Sequence, residues 1–301
     1  MTYDAEAAVP PGPDGIGSGP SSSATGGGGE PRRDARTAVG LPAELEEAGR
    51  SLFGDRLALA ATYAAILATD GVLRGLVGPR EAPRIWERHL LNCAAVAELI
   101  PPGSSVVDVG SGAGLPGLVL AVARPDLSVA LVEPLARRTA FLIEVVAELG
   151  LEQSVTVVRG RAEQFAGLPR SAASRSRLSP EEHQVCADIV TARAVAPLDR
   201  LTAWCLPLAR IGGRVLALKG ASAAAEVAEH RDVVHRLGGG PPVVRRCGVG
   251  LIDPPTTVVE IVRENAARVK VARRSRRSAA TADGPDSRSA RSGSDRPRWR
   301  R

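Results

Sequence analysis

The residues best suited to chemistry sit in one stretch, Val106-Val107-Asp108-Val109-Gly110-Ser111-Gly112-Ala113-Gly114-Leu115-Pro116-Gly117. A β-branched run ends at an acidic residue, glycines 110, 112 and 114 alternate, and an apolar-periodic segment follows. Glycines in such a turn let backbone N–H groups approach a nucleotide-like ligand with no side chain in the way.

Two ligand classes fit the loop. Read from Gly112, the pattern Gly112-x-Gly114-x-x-Gly117 matches the dinucleotide fingerprint. A dinucleotide would bring its pyrophosphate towards Asp108, two residues before the first glycine, which is electrostatically unfavourable. S-adenosylmethionine brings an ammonium and a sulfonium instead, and Asp108 suits a cationic ligand. Glu133 closes the run Leu127-Ser128-Val129-Ala130-Leu131-Val132-Glu133 about twenty residues further on, where a ribose presents its hydroxyls. Asp-x-Gly-x-Gly-x-Gly with Glu133 resembles the Rossmann-like methyltransferases. In that class the residues after the third strand flank the adenine, which here implies Ala162 and Glu163.

These side chains need a scaffold. Strands are expected before the loop, at 127–133, at Val155 to Arg159, at Asp188 to Thr191 and at Gly213 to Lys219, with helical stretches between them. That alternation predicts an α/β parallel sheet with ligands at the carboxyl ends of its strands. The Gly loop, Glu133, Glu163 and Arg193 all fall at such ends. The fold expected is a Rossmann-like class I S-adenosylmethionine-dependent methyltransferase, with a mostly parallel seven-stranded sheet and an N-terminal helical subdomain.

Residues 1–40 are rich in Pro, Gly and Ser and are expected to form a flexible leader. From 41 to 103 the pattern is helical. Leu52, Leu57, Leu59, Ala60, Tyr63, Ile66 and Leu67 form an apolar stripe, Pro79 and Pro83 interrupt, and a second run from Ile85 stops at Pro101-Pro102-Gly103. The catalytic core is expected over 104–263, with a basic insertion at 168–184 that includes Arg170, Arg175 and Arg177. Residues 264–301 hold 12 Lys/Arg against 4 Asp/Glu, a net +8, which leaves the rest of the chain at −2. A tail with that charge and no hydrophobic period is expected to be disordered and to offer an arm for nucleic-acid phosphates.

Four cysteines, at 93, 186, 205 and 247, show no metal-ligand spacing, so no metal site is expected and the thiols read as core residues. No window of 18 uncharged apolar residues argues for a membrane span, and the N-terminus lacks a signal-peptide layout. A cytoplasmic monomer is the expectation.

The acceptor leaves its own marks. Exocyclic-amine methylation calls for Asn/Asp-Pro-Pro-aromatic after the fourth strand, where this chain has Thr191-Ala192-Arg193-Ala194. Asp253-Pro254-Pro255-Thr256 lies too late, lacks the aromatic, and reads as a turn before the last strand. Pyrimidine C5 chemistry needs a cysteine nucleophile, and neither Cys186 nor Cys205 follows a proline at a suitable strand end. Guanine N7 carries a free lone pair, needs no general base, and is compatible with such a site.

Six segments resemble the bacterial 16S ribosomal RNA guanine-N7 methyltransferases, the glucose-inhibited division protein B family. They are Ile85-Trp86-Glu87-Arg88-His89-Leu90-Leu91-Asn92, the glycine loop, Arg137-Arg138-Thr139-Ala140-Phe141-Leu142, Arg161-Ala162-Glu163, Thr191-Ala192-Arg193-Ala194 and Ala217-Leu218-Lys219-Gly220. They occur in the family's order and span about residues 42–262. The resemblance implies S-adenosylmethionine as cofactor and the small ribosomal subunit as partner. Its target would be N7 of guanine 527 in 16S ribosomal RNA. It also implies cofactor contacts at Gly110, Leu115, Ala162, Glu163 and Arg193, besides Asp108, Gly112, Gly114 and Glu133. Arg193 and His89 are the candidates nearest the target base, and Arg138 and Lys219 are candidates for RNA phosphates.

Overall fold

A computed structural model describes residues 40–165 and 187–265. The expected leader, the insertion at 168–184 and all but the first two residues of the basic tail lie outside the described residues. Seven strands form one sheet: β1 (Ser105–Val109), β2 (Ser128–Glu133), β3 (Val155–Arg159), β4 (Ala187–Arg193), β5 (Ala209–Lys219), β6 (Val243–Cys247) and β7 (Thr256–Val262). Their order is β3-β2-β1-β4-β5-β7-β6. The first five run parallel, and β7 is antiparallel to both β5 and β6.

This is the class I methyltransferase sheet, as the sequence pattern predicts. The strand order reverses between β1 and β4, the switch point where ligands of open α/β sheets bind. Strand β4 runs through Arg193 rather than stopping at Thr191, so Arg193 is its last residue.

The central strands alternate faces and are buried on both. Val106, Val129, Leu131, Ile189 and Leu216 belong to one apolar cluster, whereas Val107, Ala130, Val132, Val190 and Val215 belong to the other. Helices cover each side, and a parallel sheet needs both faces covered. On the first face lie α1 (Glu46–Phe53), α2 (Leu57–Ile66), the helical run 85–99 containing α3 (Asn92–Ala94), α4 (Gly117–Ala123) and α5 (Ala136–Glu148). The short α6 (Ala162–Phe165) follows β3, and the second face carries α7 (Leu198–Cys205) and α8 (Ala223–Arg236).

The N-terminal helices share one core with the sheet, since Tyr63, Ile85, Leu90 and Leu91 cluster with Leu118, Leu131 and Phe141. The helical stretch Ala43–Gly71 is long and apolar enough, by length and composition, to cross a membrane. A search for uncharged windows alone misses it. Its residues Ala60, Tyr63, Ala64, Ile66 and Leu67 are buried in the apolar cluster that includes one face of the sheet, and 33% of its most apolar 18-residue window is buried.

The 85–99 run is not a uniform α-helix. Trp86–Leu91 forms a π-helical turn, and His89 lies within it. Such turns recur at functional sites because they shift which side chains share a face.

Candidate active site

The loop after β1 is held from below. Asp108 is 0% exposed. Its Oδ1 accepts from Thr191 Oγ1 at 2.9 Å and its Oδ2 from the Gly117 N–H at 3.2 Å, tying β4 and the first residue of α4 to β1. Burial pushes the Asp108 carboxyl up to about 6, against the opposing effect of the Thr191, Ser111 and Gly117 hydrogen bonds. A methyl on Gly117 would lie 2.6 Å from both Asp108 Cβ and Leu131 Cδ2, so only glycine lets the helix start this close to the strand.

Tyr63 supports the other arm of the loop. Its hydroxyl donates to the Ala113 carbonyl at 2.6 Å, and Gly114, at φ +99°, packs directly over it. Gly110 and Gly112 also have positive φ, +70° and +58°. Glu133, almost fully buried at the end of β2, accepts from the Gly112 N–H and the Leu135 N–H, each at 3.0 Å. Arg138 reaches to 3.9 Å from the same carboxylate.

Above this network lies a pocket of about 190 Å³ lined by Val109, Gly110, Val132, Pro134, Gly160, Arg161, Ala162, Glu163, Val195 and Trp204. It opens at the carboxyl ends of β1 to β3 and on the segment after β4. The volume is below the roughly 300–1,000 Å³ of whole-ligand pockets, so it fits a base-sized part of a larger ligand. A larger cavity, about 520 Å³, lies between Ile66, Asp70 and Arg74 and the flank of α5, and includes no loop residue.

A second cluster sits on the helical side of the sheet end. Arg193 Nη2 lies 2.6 Å from His89 Nδ1 and 3.3 Å from the Arg88 carbonyl, while Nη1 lies 3.3 Å from Cys93 Sγ. Arginine can only donate, so Nδ1 is the acceptor and the imidazole proton is on Nε2, 3.3 Å from Glu81 Oε2. Burial, and then the Arg193 cation, hold the His89 pKa down at about 4, so the ring is neutral at pH 7.

The family model described as "rRNA small subunit methyltransferase G" matches residues 56–249, a span that contains the loop, the pocket and the Arg193–His89 pair. Proteins of that name are closely similar. One from Salinispora tropica is 67% identical, covering 78% of this chain and 94% of its own. Those from Rhodococcus jostii and Streptomyces coelicolor are 54% and 49% identical, covering 74% and 79% of this chain and 93% and 96% of theirs. This chain belongs to the small-subunit rRNA methyltransferase G family.

For a member of that family the expected site residues separate into three groups. Gly110, Ala162 and Glu163 line one pocket. Gly112 and Glu133 are joined by a hydrogen bond within the loop, Gly114 packs on Tyr63, and Arg193 pairs with His89.

Three other expected residues lie outside the lining of that pocket. Asp108 is sealed beneath the loop, where its carboxylate organises Thr191 and Gly117. Leu115 packs partly buried against the helical core and does not line the pocket. The Lys219 ammonium donates to the Ala196 carbonyl and Glu226 at 2.8 and 2.7 Å, and its side chain is 9% exposed.

Tyr63, Thr191, Val195 and Trp204 are site residues that the sequence reading missed. Tyr63 carried a signal, since a tyrosine in an otherwise aliphatic buried stripe needs a partner for its hydroxyl. Thr191 and Val195 carried none, because a strand threonine and a loop valine are compositionally ordinary.

Proposed function

We propose that this protein methylates N7 of guanine 527 in 16S ribosomal RNA, using S-adenosylmethionine and recognising the small ribosomal subunit. The observation that carries this reading is the glycine-floored, apolar pocket at the switch point of a class I methyltransferase sheet, in a chain of this family.

The residues present fit the cofactor. Gly110 and Gly160 leave the pocket open to backbone approach: a methyl at Gly110 would meet Val195 Cγ2 at 3.2 Å, and one at Gly160 would meet the Phe165 ring at 2.7 Å. Val109, Val132, Ala162 and Val195 give apolar walls for a base, and Glu163 is exposed. Glu133, next in sequence to Val132 and held by the Gly112 and Leu135 N–H groups, is the carboxylate assigned to the ribose. S-adenosylmethionine supplies an electrophilic methyl on its sulfonium.

The chain's own task is then positioning. Guanine N7 has a free lone pair at neutral pH, so transfer needs alignment and exclusion of water rather than proton removal. The described cysteines suit no alternative chemistry: Cys93, Cys205 and Cys247 are buried, and burial raises all three thiols, Cys247 to about 12. None supplies a thiolate for attack on a pyrimidine ring. Asp253-Pro254-Pro255 forms the turn into β7. Arg193, at the end of β4 and held against the helix that carries His89, is the cation assigned to the acceptor, and neutral His89 keeps it in place.

The basic segments at 168–184 and 264–301 would supply phosphate attraction to a body of slightly negative charge. On this reading the enzyme works as a cytoplasmic monomer without a metal, with residues 41–103 and 104–263 as its helical and cofactor-binding parts.

The test is transfer of radiolabelled methyl to small subunits that lack their own modification, alongside titration with S-adenosylhomocysteine and NADH. Binding of S-adenosylhomocysteine with label in the RNA is expected. Binding of NADH alone would overturn the reading in favour of a dinucleotide enzyme.

A further inference from the structure

Trp204 is the one aromatic side chain lining the pocket. It lies near the end of α7, half-buried, and none of the expected cofactor contacts is on that helix. The rest of the lining comes from strand ends, glycines and small aliphatic side chains, which shape a slot but offer no large flat surface. Arg200, one turn earlier on α7, places its guanidinium carbon 5.1 Å from the Trp204 ring centroid. Residues four apart share a helix face, and a cation over an indole is a stabilising contact that restricts the ring's rotamers. Val195, which lines the same pocket, packs with Trp204 against the second apolar cluster. The indole is therefore fixed by Arg200 on its face and by packing against the second apolar cluster, in a slot sized for one heterocyclic base.

We infer that Trp204 is the aromatic wall against which the adenine of the cofactor packs, opposite Ala162 and Glu163, with Arg200 as the positioning residue that fixes the indole. The inference rests on the methyltransferase reading of the pocket and adds the group that confers affinity for a purine. Stacking on an aromatic side chain is sequence-tolerant for bases and is a large part of how proteins hold them. A pocket with glycine and alanine on one side and tryptophan on the other would accept adenine by shape and π-contact, leaving Glu163 at the rim to select among bases by hydrogen bonding.

The experiment uses the full chain and its three tryptophans, Trp86, Trp204 and Trp299. Trp86 is fully buried beside Phe53 in the helical core, away from the pocket. S-adenosylhomocysteine is titrated into wild type, Trp204→Phe and Trp204→Ala, following tryptophan emission and, independently, heat of binding. Expected are a saturable change in emission for wild type that is lost in Trp204→Phe, affinity within about threefold of wild type for Trp204→Phe, and a loss of about tenfold or more for Trp204→Ala. The phenylalanine variant keeps an aromatic ring at the pocket, so its affinity and loss of emission change remain readable even if the alanine variant folds poorly. Wild-type emission change that persists in Trp204→Phe, or undiminished affinity in a folded Trp204→Ala, overturns the inference while leaving the methyltransferase reading intact. Absence of any heat with wild type overturns both.

Discussion

Arg193 ends β4 and donates to His89 Nδ1 across 2.6 Å, joining the central sheet to the π-helical turn of the N-terminal helices. The same guanidinium reaches the Arg88 carbonyl and Cys93 Sγ, so one side chain spans three acceptors on one helix. A lysine ammonium cannot reproduce that fork. Arg193→Ala is expected to abolish methyl transfer, and Arg193→Lys to retain less than about a tenth of it. Melting should drop by only a few degrees, as expected for losing one charged hydrogen-bond set. Parallel methyl-transfer and thermal-melting assays check this, and a lysine variant with full activity would show that charge alone suffices.

The buried pair of titrating groups gives opposite pH responses. His89 is held at about 4, below its ordinary value of 6.5, chiefly by burial. Unfolded chain therefore takes up a proton between pH 6.5 and 4 that folded chain does not, so the His89 contribution is present above 6.5 and lost on acidification, about 3 kcal/mol in all. Asp108 is raised by burial from 3.8 to about 6, so its contribution is present below 3.8 and lost as pH rises through 6. In His89→Gln only the Asp108 response remains of the two. The wild-type melting temperature should fall relative to that of His89→Gln as pH goes from 7 to 4. A constant difference across that range would contradict the account.

Within the loop, the cost of alanine should follow space as well as φ. Gly112 has φ +58° and only the Gly110 carbonyl oxygen near a built methyl, at 3.8 Å, so Gly112→Ala should cost about 1–2 kcal/mol of backbone strain. Gly117 has an ordinary φ but no room, because Asp108 Cβ and Leu131 Cδ2 stand 2.6 Å away. Gly117→Ala should exceed Gly112→Ala by about 2 kcal/mol or more, through overpacking. Denaturant melts of the two variants give the order directly, and the reverse order would refute the close approach of α4 to β1.

Lys219 and the C-terminal segment should behave oppositely in RNA binding. Lys219 is enclosed with Glu226 and the Ala196 carbonyl, so Lys219→Met is expected to lower melting temperature and leave the salt dependence of RNA affinity unchanged. Removing residues 268–301 should weaken RNA affinity and flatten its salt dependence, with cofactor affinity unchanged. Equal salt slopes for wild type and the truncated chain would refute the role of the tail.

How legible this was in the sequence differed by kind of residue. The sheet read well because parallel strands buried on both faces are continuous β-branched runs, and Val155–Arg159 was expected at its observed limits. The helical run 85–99 was expected between its prolines, but its π-helical turn has no periodic signature. Gly110, Ala162 and Glu163, expected from the glycine loop and the methyltransferase resemblance, come together in one pocket lining. Charge complementarity pointed to Asp108, but its burial and its anchoring of Thr191 and Gly117 have no signature in a single sequence. The pairing of Lys219 with Glu226 was not legible, because Glu226 lies on the following helix and a single sequence does not show which charges meet. Trp204 was passed over since one tryptophan at the end of an amphipathic helix is ordinary until the strand ends are seen opposite it.

The central claim is the acceptor atom. Small subunits lacking their own modification, incubated with the protein and S-adenosylmethionine, would have their RNA treated with borohydride and aniline, which cleave the chain only at N7-methylguanosine. The account predicts one new cut, at guanine 527. Methyl label in the RNA with no cut, or a cut elsewhere, would contradict it.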